Sequence, residues 1–176
     1  MKGLHNTLYK RDETVLRYHA RWPEHGLLLE CWGVVGELGE LRERQMPDGA
    51  STERAIAEAR QSLHARGFAT VDMNAYVRLL VEHEVGRTCN AEDADERITL
   101  EYRIGALLDQ TGLGGTSGGE MWPTSYEVFC FVVDFEIAKR VISADLLSTK
   151  YTHARIYEED PAIFGPVPST FPTLKR

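Results

Sequence analysis

Tyr126-Glu127-Val128-Phe129-Cys130-Phe131-Val132-Val133-Asp134 is apolar almost throughout. A run of this length, rich in β-branched and aromatic residues, predicts a strand. Its lack of a polar face predicts a central strand covered on both sides. Downstream, Asp134 is placed to cap a helix over residues 135–147, with Ile137, Val141, Ala144 and Leu147 on one side. Asp134 and Glu136 also form a candidate carboxylate pair, but the cap explains Asp134 more simply. Arg155-Ile156-Tyr157 reads as a last short strand.

Upstream of the run, Thr111-Gly112-Leu113-Gly114-Gly115-Thr116-Ser117-Gly118-Gly119 holds five glycines in nine residues. Backbone N–H groups of such a loop can face a phosphate, but a P-loop needs a lysine that is missing here, so a mobile connector is expected. A further strand lies just before Pro123. Leu100, Ile104, Leu107 and Leu108 fit a helix that the acidic stretch 91–96 would open. Ile98, Leu100, Tyr102 and Ile104 recur at spacing two and compete for a strand; the length of the segment favours the helix. Residues 75–85 alternate, with Val77, Leu79, Val81 and Val85 facing one way and Arg78, Glu82 and Glu84 the other. The order is βαββαβ, a ferredoxin-like unit over residues 73–158. The last segment, 159–176, holds Pro161, Pro166, Pro168 and Pro172. It reads as an extended tail, laid over the body through Ile163, Phe164 and Phe171 or left free.

The first 72 residues read as strands, then one helix. In Val15–Trp22, Leu16, Tyr18, Ala20 and Trp22 share one face; Arg17, His19 and Arg21 share the other. Pro23-Glu24-His25-Gly26 is expected to turn, Leu27–Trp32 to form a second strand, and Glu40–Gln45 a charged third one. After Pro47-Asp48-Gly49, Ser51 is a plausible N-cap for a helix carrying Ile56, Ala59 and Leu63, which Arg66-Gly67 would stop.

Within this half, Trp32-Gly33-Val34-Val35-Gly36-Glu37-Leu38-Gly39-Glu40 resembles the W-G-R-x-G-x-x-G core of the WGR domain. The opening strand at Leu8-Tyr9, the strand bearing Tyr18 and the helix ending Ala65-Arg66-Gly67-Phe68 agree with it. The resemblance covers about residues 5–72 and implies a small antiparallel sheet with one helix. It also implies recognition of DNA ends, as in the poly(ADP-ribose) polymerases, and so a nucleic-acid-end or nucleotide binder. Trp32 would then stack on a base or sugar, with Arg17, Arg21, Arg42 and Arg44 lining an anionic-ligand surface. The family's namesake arginine is Val34 here. The simpler reading makes Trp32 a core or hairpin residue and pairs the arginines with Glu40 and Glu43.

Net charge is −7, divided unevenly: −1 over residues 1–72 and −6 over residues 73–176. A nucleic-acid binder normally shows a basic stripe, so this balance favours a basic protein partner and weak, unspecific contact with DNA. No segment approaches the roughly 20 apolar residues of a membrane span, and the N-terminus lacks the apolar stretch of a signal peptide. Cys31, Cys89 and Cys130 are odd in number and form no CxxC pair. Reduced thiols in a cytoplasmic protein are expected, with no disulfide and no metal site.

A catalytic constellation is not legible. His83 lies between Glu82 and Glu84, but on a strand it points away from both. Cys130 sits inside an apolar strand, where a thiol is inert. The sequence therefore predicts an α+β, non-enzymatic, cofactor-free protein that acts through a protein partner, in the manner of a bacterial immunity protein or antitoxin. The alternative is a WGR-type binder of DNA ends or nucleotides.

Overall fold

The computed structural model describes residues 7–45 and 52–159, and the chain is an α+β protein. Strands β1 (Thr7–Asp12), β2 (Val15–Glu24), β3 (Leu27–Val34) and β4 (Glu40–Gln45) form an antiparallel sheet in chain order. Helix α1 (Thr52–Ala65) follows, and the chain then returns beside β1 through paired bonds between Tyr9 and Ala69, at 2.7 and 2.8 Å. Gly67 takes the expected left-handed conformation at the end of α1. Leu63 of α1 packs with Leu8 and Phe68, so the helix covers one face of this sheet.

A 3-10 turn at Met73–Ala75 leads into the second sheet. Its elements are β5 (Val77–Glu84), α2 (Ala91–Gln110), β6 (Gly114–Met121), β7 (Ser125–Val132), α3 (Phe135–Leu146) and β8 (Arg155–Glu158). The order along the chain is the expected βαββαβ. The sheet order is β6-β7-β5-β8, antiparallel at every pair. Strand β7 is central as expected, and Tyr126, Val128 and Val132 are wholly enclosed. Helix α2 also forms as expected. Its N-terminus is closed by a capping box, in which Asn90 accepts from the Glu92 and Asp93 amides and Asp93 accepts from the Asn90 amide. Asp134 caps α3 through the Ile137 amide at 3.0 Å.

Several expectations are corrected. The glycine-rich segment is no mobile connector, because residues 114–121 form the edge strand β6. A register shift between Thr116 and Gly119 marks a bulge, and a side chain at Gly119 would meet the Glu127 carbonyl at 2.0 Å. Tertiary pairing with β7 overrides the poor strand propensity of glycine, and that close approach requires it. On α3 the buried stripe is Ala138, Ile142 and Leu146; Leu147, expected inside, is exposed. The helix is rotated by about one residue from the expected face, with Ile137 and Val141 at the margin of the core. Strand β2 runs on through Pro23 and Glu24, so the turn is only His25-Gly26. His19, expected on a wet face, is buried, because its ring lies against Trp32 and edge-on to Phe68. The Ser51 cap and the proline-rich tail from residue 160 lie outside the described residues.

The two sheets share one core. Tyr9, Tyr18, Cys31 and Val35 from the first half belong to the same cluster as Leu79, Leu100, Ile104, Val128 and Ile142 from the second. Tyr18 sits at the join. Its hydroxyl donates to the Gln110 carbonyl at 2.6 Å and lies 3.4 Å from the Cys31 sulfur.

Candidate functional site

The Trp32–Glu40 run spans the end of β3, the turn at residues 35–39 and the start of β4, and the backbone of the turn grips the end of α2. A helix leaves its last carbonyls without partners inside the helix. Here Gly39 N–H donates to the Gln110 carbonyl at 3.0 Å, and Gly36 N–H donates to the Thr111 carbonyl at 2.9 Å. A Cβ on Gly39 would lie 2.0 Å from the Tyr18 hydroxyl, so the glycine leaves the space in which that hydroxyl reaches α2.

The residues singled out from sequence lie on the α1-facing side of the first sheet. Trp32 on β3 has His19 of β2 at 5.8 Å and the Arg42 guanidinium of β4 at 5.1 Å from its ring. Strands β2 and β4 flank β3 on opposite sides, so the indole is held between the two. Arg21 pairs with buried Glu30 at 2.9 Å, Arg44 approaches the same carboxylate at 3.7 Å, and Arg17 pairs with Asp12 at 3.2 Å. The partners expected for the arginines, Glu40 and Glu43, are not the ones they meet. Glu40 lies across from Trp32 and Glu43 across from Leu29. The fold thus brings Trp32, Arg21, Arg42 and Arg44 to one face, with Arg17 nearer its far end, and sets carboxylates among them. Burial, then the nearby Arg21 charge, pushes the His19 imidazole down to about 4.

The opposite face of the same sheet borders a cavity of about 620 Å³, lying between β1–β4 and the last turn of α2. Tyr9, Trp22, Leu29, Leu41 and Leu108 supply its apolar walls, and Glu24 and Asp109 are the carboxylates in its lining. Glu24 is oriented by the Trp22 indole N–H at 3.2 Å. Burial pushes the Asp109 carboxyl up to about 6. Sequence reasoning did not single out Asp109. The available signal was an acid in the final turn of a helix, where the dipole favours cations.

The other candidate groups are engaged structurally. His83 packs against Tyr126 and Tyr151, each ring at 5.3 Å, and burial lowers its pKa. Glu82 and Glu84 both bind Arg155, at 2.9 Å each. Cys31, Cys89 and Cys130 carry free thiols, and burial raises the Cys130 pKa far above its usual value. Among the described residues, no three His, Cys, Asp or Glu side chains are placed to hold a metal ion. No described helix is long and apolar enough to cross a membrane.

Helix α2 also presents apolar side chains to solvent, as do Leu38, Trp122 and Leu147 elsewhere. The buried stripe of α2 is Leu100, Ile104 and Leu108, which leaves Ile98 and Tyr102 outside it, at 40% and 77% exposure. Helix α2 carries six carboxylates against two arginines. Asp93, Glu96 and Glu101 have basic partners in Arg87, Lys150 and Arg97. Glu92 and Asp95, beside the apolar pair, have no ion-pair partner among the described residues.

No protein-family model matches the chain, and neither does any curated protein or solved structure.

Proposed function

We propose that this chain is a non-catalytic binding protein that docks a basic protein partner on the outward stripe of α2. An immunity-like or antitoxin-like protein, which neutralises its partner by covering it, is the concrete form of this reading. The observation that carries it is Tyr102, 77% exposed in mid-helix beside Ile98, with Glu92 and Asp95 along the same stripe. A tyrosine in such a setting supplies a rigid apolar anchor with a polar tip, the residue type that dominates binding energy at protein interfaces. The flanking carboxylates favour lysine and arginine on the partner and speed the encounter. The uneven net charge, −6 over residues 73–176, acts in the same direction.

The second reading is a WGR-type binder of DNA ends or nucleotides, supported by Arg42 over Trp32 and by the exposed Arg44 on edge strand β4. Against it, Glu30 and Asp12 neutralise the neighbouring arginines, and the Trp32 ring already has His19 and Arg42 against it.

Two measurements separate the readings. Products of the reading frames flanking this one are co-expressed with the wild-type chain and with Tyr102→Arg. The first reading expects one of them to co-purify with wild type and to be lost from the variant. Blunt and 5′-phosphorylated duplexes, titrated by fluorescence anisotropy at physiological salt, are expected to bind only in the micromolar or weaker range of background contact. Nanomolar duplex binding lost in Trp32→Ala, with no co-purifying partner, would replace the first reading by the second.

A further inference from the structure

The cavity beneath the first sheet is not used by the proposed docking stripe, and its chemistry points to a different kind of ligand. Its volume of about 620 Å³ falls within the range of small-molecule sites, roughly 300–1,000 Å³. Tyr9 and Trp22 give it aromatic walls, and Leu29, Leu41 and Leu108 give it aliphatic ones. Glu24 and Asp109 are its ionisable carboxyl groups, while no lysine, arginine or histidine occurs in the described lining. The C-terminal end of α2 borders the same space, and its dipole adds a partial negative charge. A bound anion would meet two carboxylates and that helix end with no counter-charge from the described lining. A bound cation would meet both carboxylates beside two electron-rich aromatic side chains, Tyr9 and Trp22, groups of the kind that attract ammonium. Asp109 is half-buried in this wall, which disfavours its charged form, and a cation held beside it would offset that cost.

We infer that this cavity binds a small hydrophobic amine. Its aromatic or branched aliphatic body lies against Trp22, Tyr9 and the leucines, and its ammonium group pairs with Asp109. Glu24, held by the Trp22 indole N–H, shapes the field but is already oriented. Asp109 is therefore the residue that selects charge, and the apolar walls select shape.

The test uses the full chain with Trp32→Phe and Trp122→Phe, so that Trp22, in the cavity wall, is the only indole. Three probes of one shape are titrated by fluorescence: 4-phenylbutylamine, 4-phenylbutan-1-ol and 4-phenylbutyrate. The amine is expected to bind at least ten-fold tighter than the alcohol, and the carboxylate not measurably. Asp109→Asn, which keeps shape and removes charge, is expected to bring the amine to the affinity of the alcohol while leaving the alcohol unchanged. Amide chemical shifts at Leu29 and Leu108 in the unsubstituted chain should move with the amine, which places the ligand independently of the tryptophan substitutions. Absence of saturable binding by any probe overturns the inference. So does equal affinity for amine and carboxylate, or an amine preference that survives Asp109→Asn.

Discussion

Replacing Gly112 by alanine tests the join between the two halves at its tightest point. Gly112 follows the end of α2 with φ of +62°, and a Cβ there would lie 2.1 Å from Cγ of Tyr18 and 2.2 Å from its Cδ1. Two separate costs follow. Holding alanine in the left-handed conformation costs about 1–2 kcal/mol. Forcing atoms into a packed core costs about 1–3 kcal/mol more. Tyr18 is 1% exposed, and any shift of its ring weakens its bond to the Gln110 carbonyl, a bond contributing about 1 kcal/mol. The expected total is about 3–6 kcal/mol, a large share of the roughly 5–15 kcal/mol that stabilises a typical domain. Gly26→Ala is the control, since Gly26 has φ of +79° with nothing within 4 Å of the added carbon. It should show the conformational cost alone, about 1–2 kcal/mol. In urea unfolding, a slope near 2 kcal/mol per molar turns this into a midpoint fall of about 1.5–3 M for Gly112→Ala and about 0.5–1 M for Gly26→Ala. In a Tyr18→Leu background the penalty at Gly112 should shrink towards that of the control, which a double-mutant cycle measures. Equal midpoint shifts for the two alanine variants, or strict additivity with Tyr18→Leu, would refute this account of the join.

Three further outcomes are expected. His19, pushed down to about 4 by burial, is protonated more readily in the unfolded chain, so it lowers stability as pH falls from about 6.5 to 4. Urea unfolding at pH 7 and 5 should show His19→Phe losing about 1–2 kcal/mol less than wild type over that step; Asp109, pushed up to about 6, acts with the opposite sign in both proteins. Arg21→Met leaves buried Glu30 with only the 3.7 Å contact to Arg44 and should cost about 2–4 kcal/mol, whereas Arg17→Met at the exposed Asp12 pair should stay within about 0.5 kcal/mol by the same denaturation assay. Thiol titration of the native protein should label partly exposed Cys89 first, with buried Cys31 and Cys130 reacting only as the chain unfolds.

Much of the fold was legible because its elements have unambiguous periods. Strand β7 could only be central, since none of its faces is polar, and Asp134 and the acidic stretch at 91–96 marked two helix starts correctly. The misreadings share one cause, which is contact between segments distant in sequence. Nothing local makes residues 114–121 a strand; the ladder with β7 does. On α3, Ile137 and Ile142 are equally apolar, and only the orientation against the core decides that Ile142 is enclosed. His19 follows the alternation of a wet face but is covered by Phe68, nearly fifty positions away. The candidate sites were half visible. Ile98 and Tyr102 suggested a competing strand because they are apolar residues that the helical stripe does not use, and that surplus is their mark as a surface anchor. Asp109 was hidden because a single acid in a helix is ordinary; its surroundings come from β1, β2, β3, β4 and the β3–β4 turn.

The grip of the β3–β4 turn on α2 also bears on how such a chain can change over generations. Two backbone N–H groups, from Gly36 and Gly39, meet two carbonyls, of Gln110 and Thr111, across more than seventy positions of sequence. None of these four groups depends on side-chain identity, yet the space around them does, through Tyr18, Gly39 and Gly112. A recombination event that exchanged one half for a homologous segment would therefore have to bring in a matching set of small residues or leave helix carbonyls stranded in the core. The two halves are tied into a single unit of inheritance by backbone geometry, while the cavity walls and the α2 stripe on either side of the tie stay free to diverge.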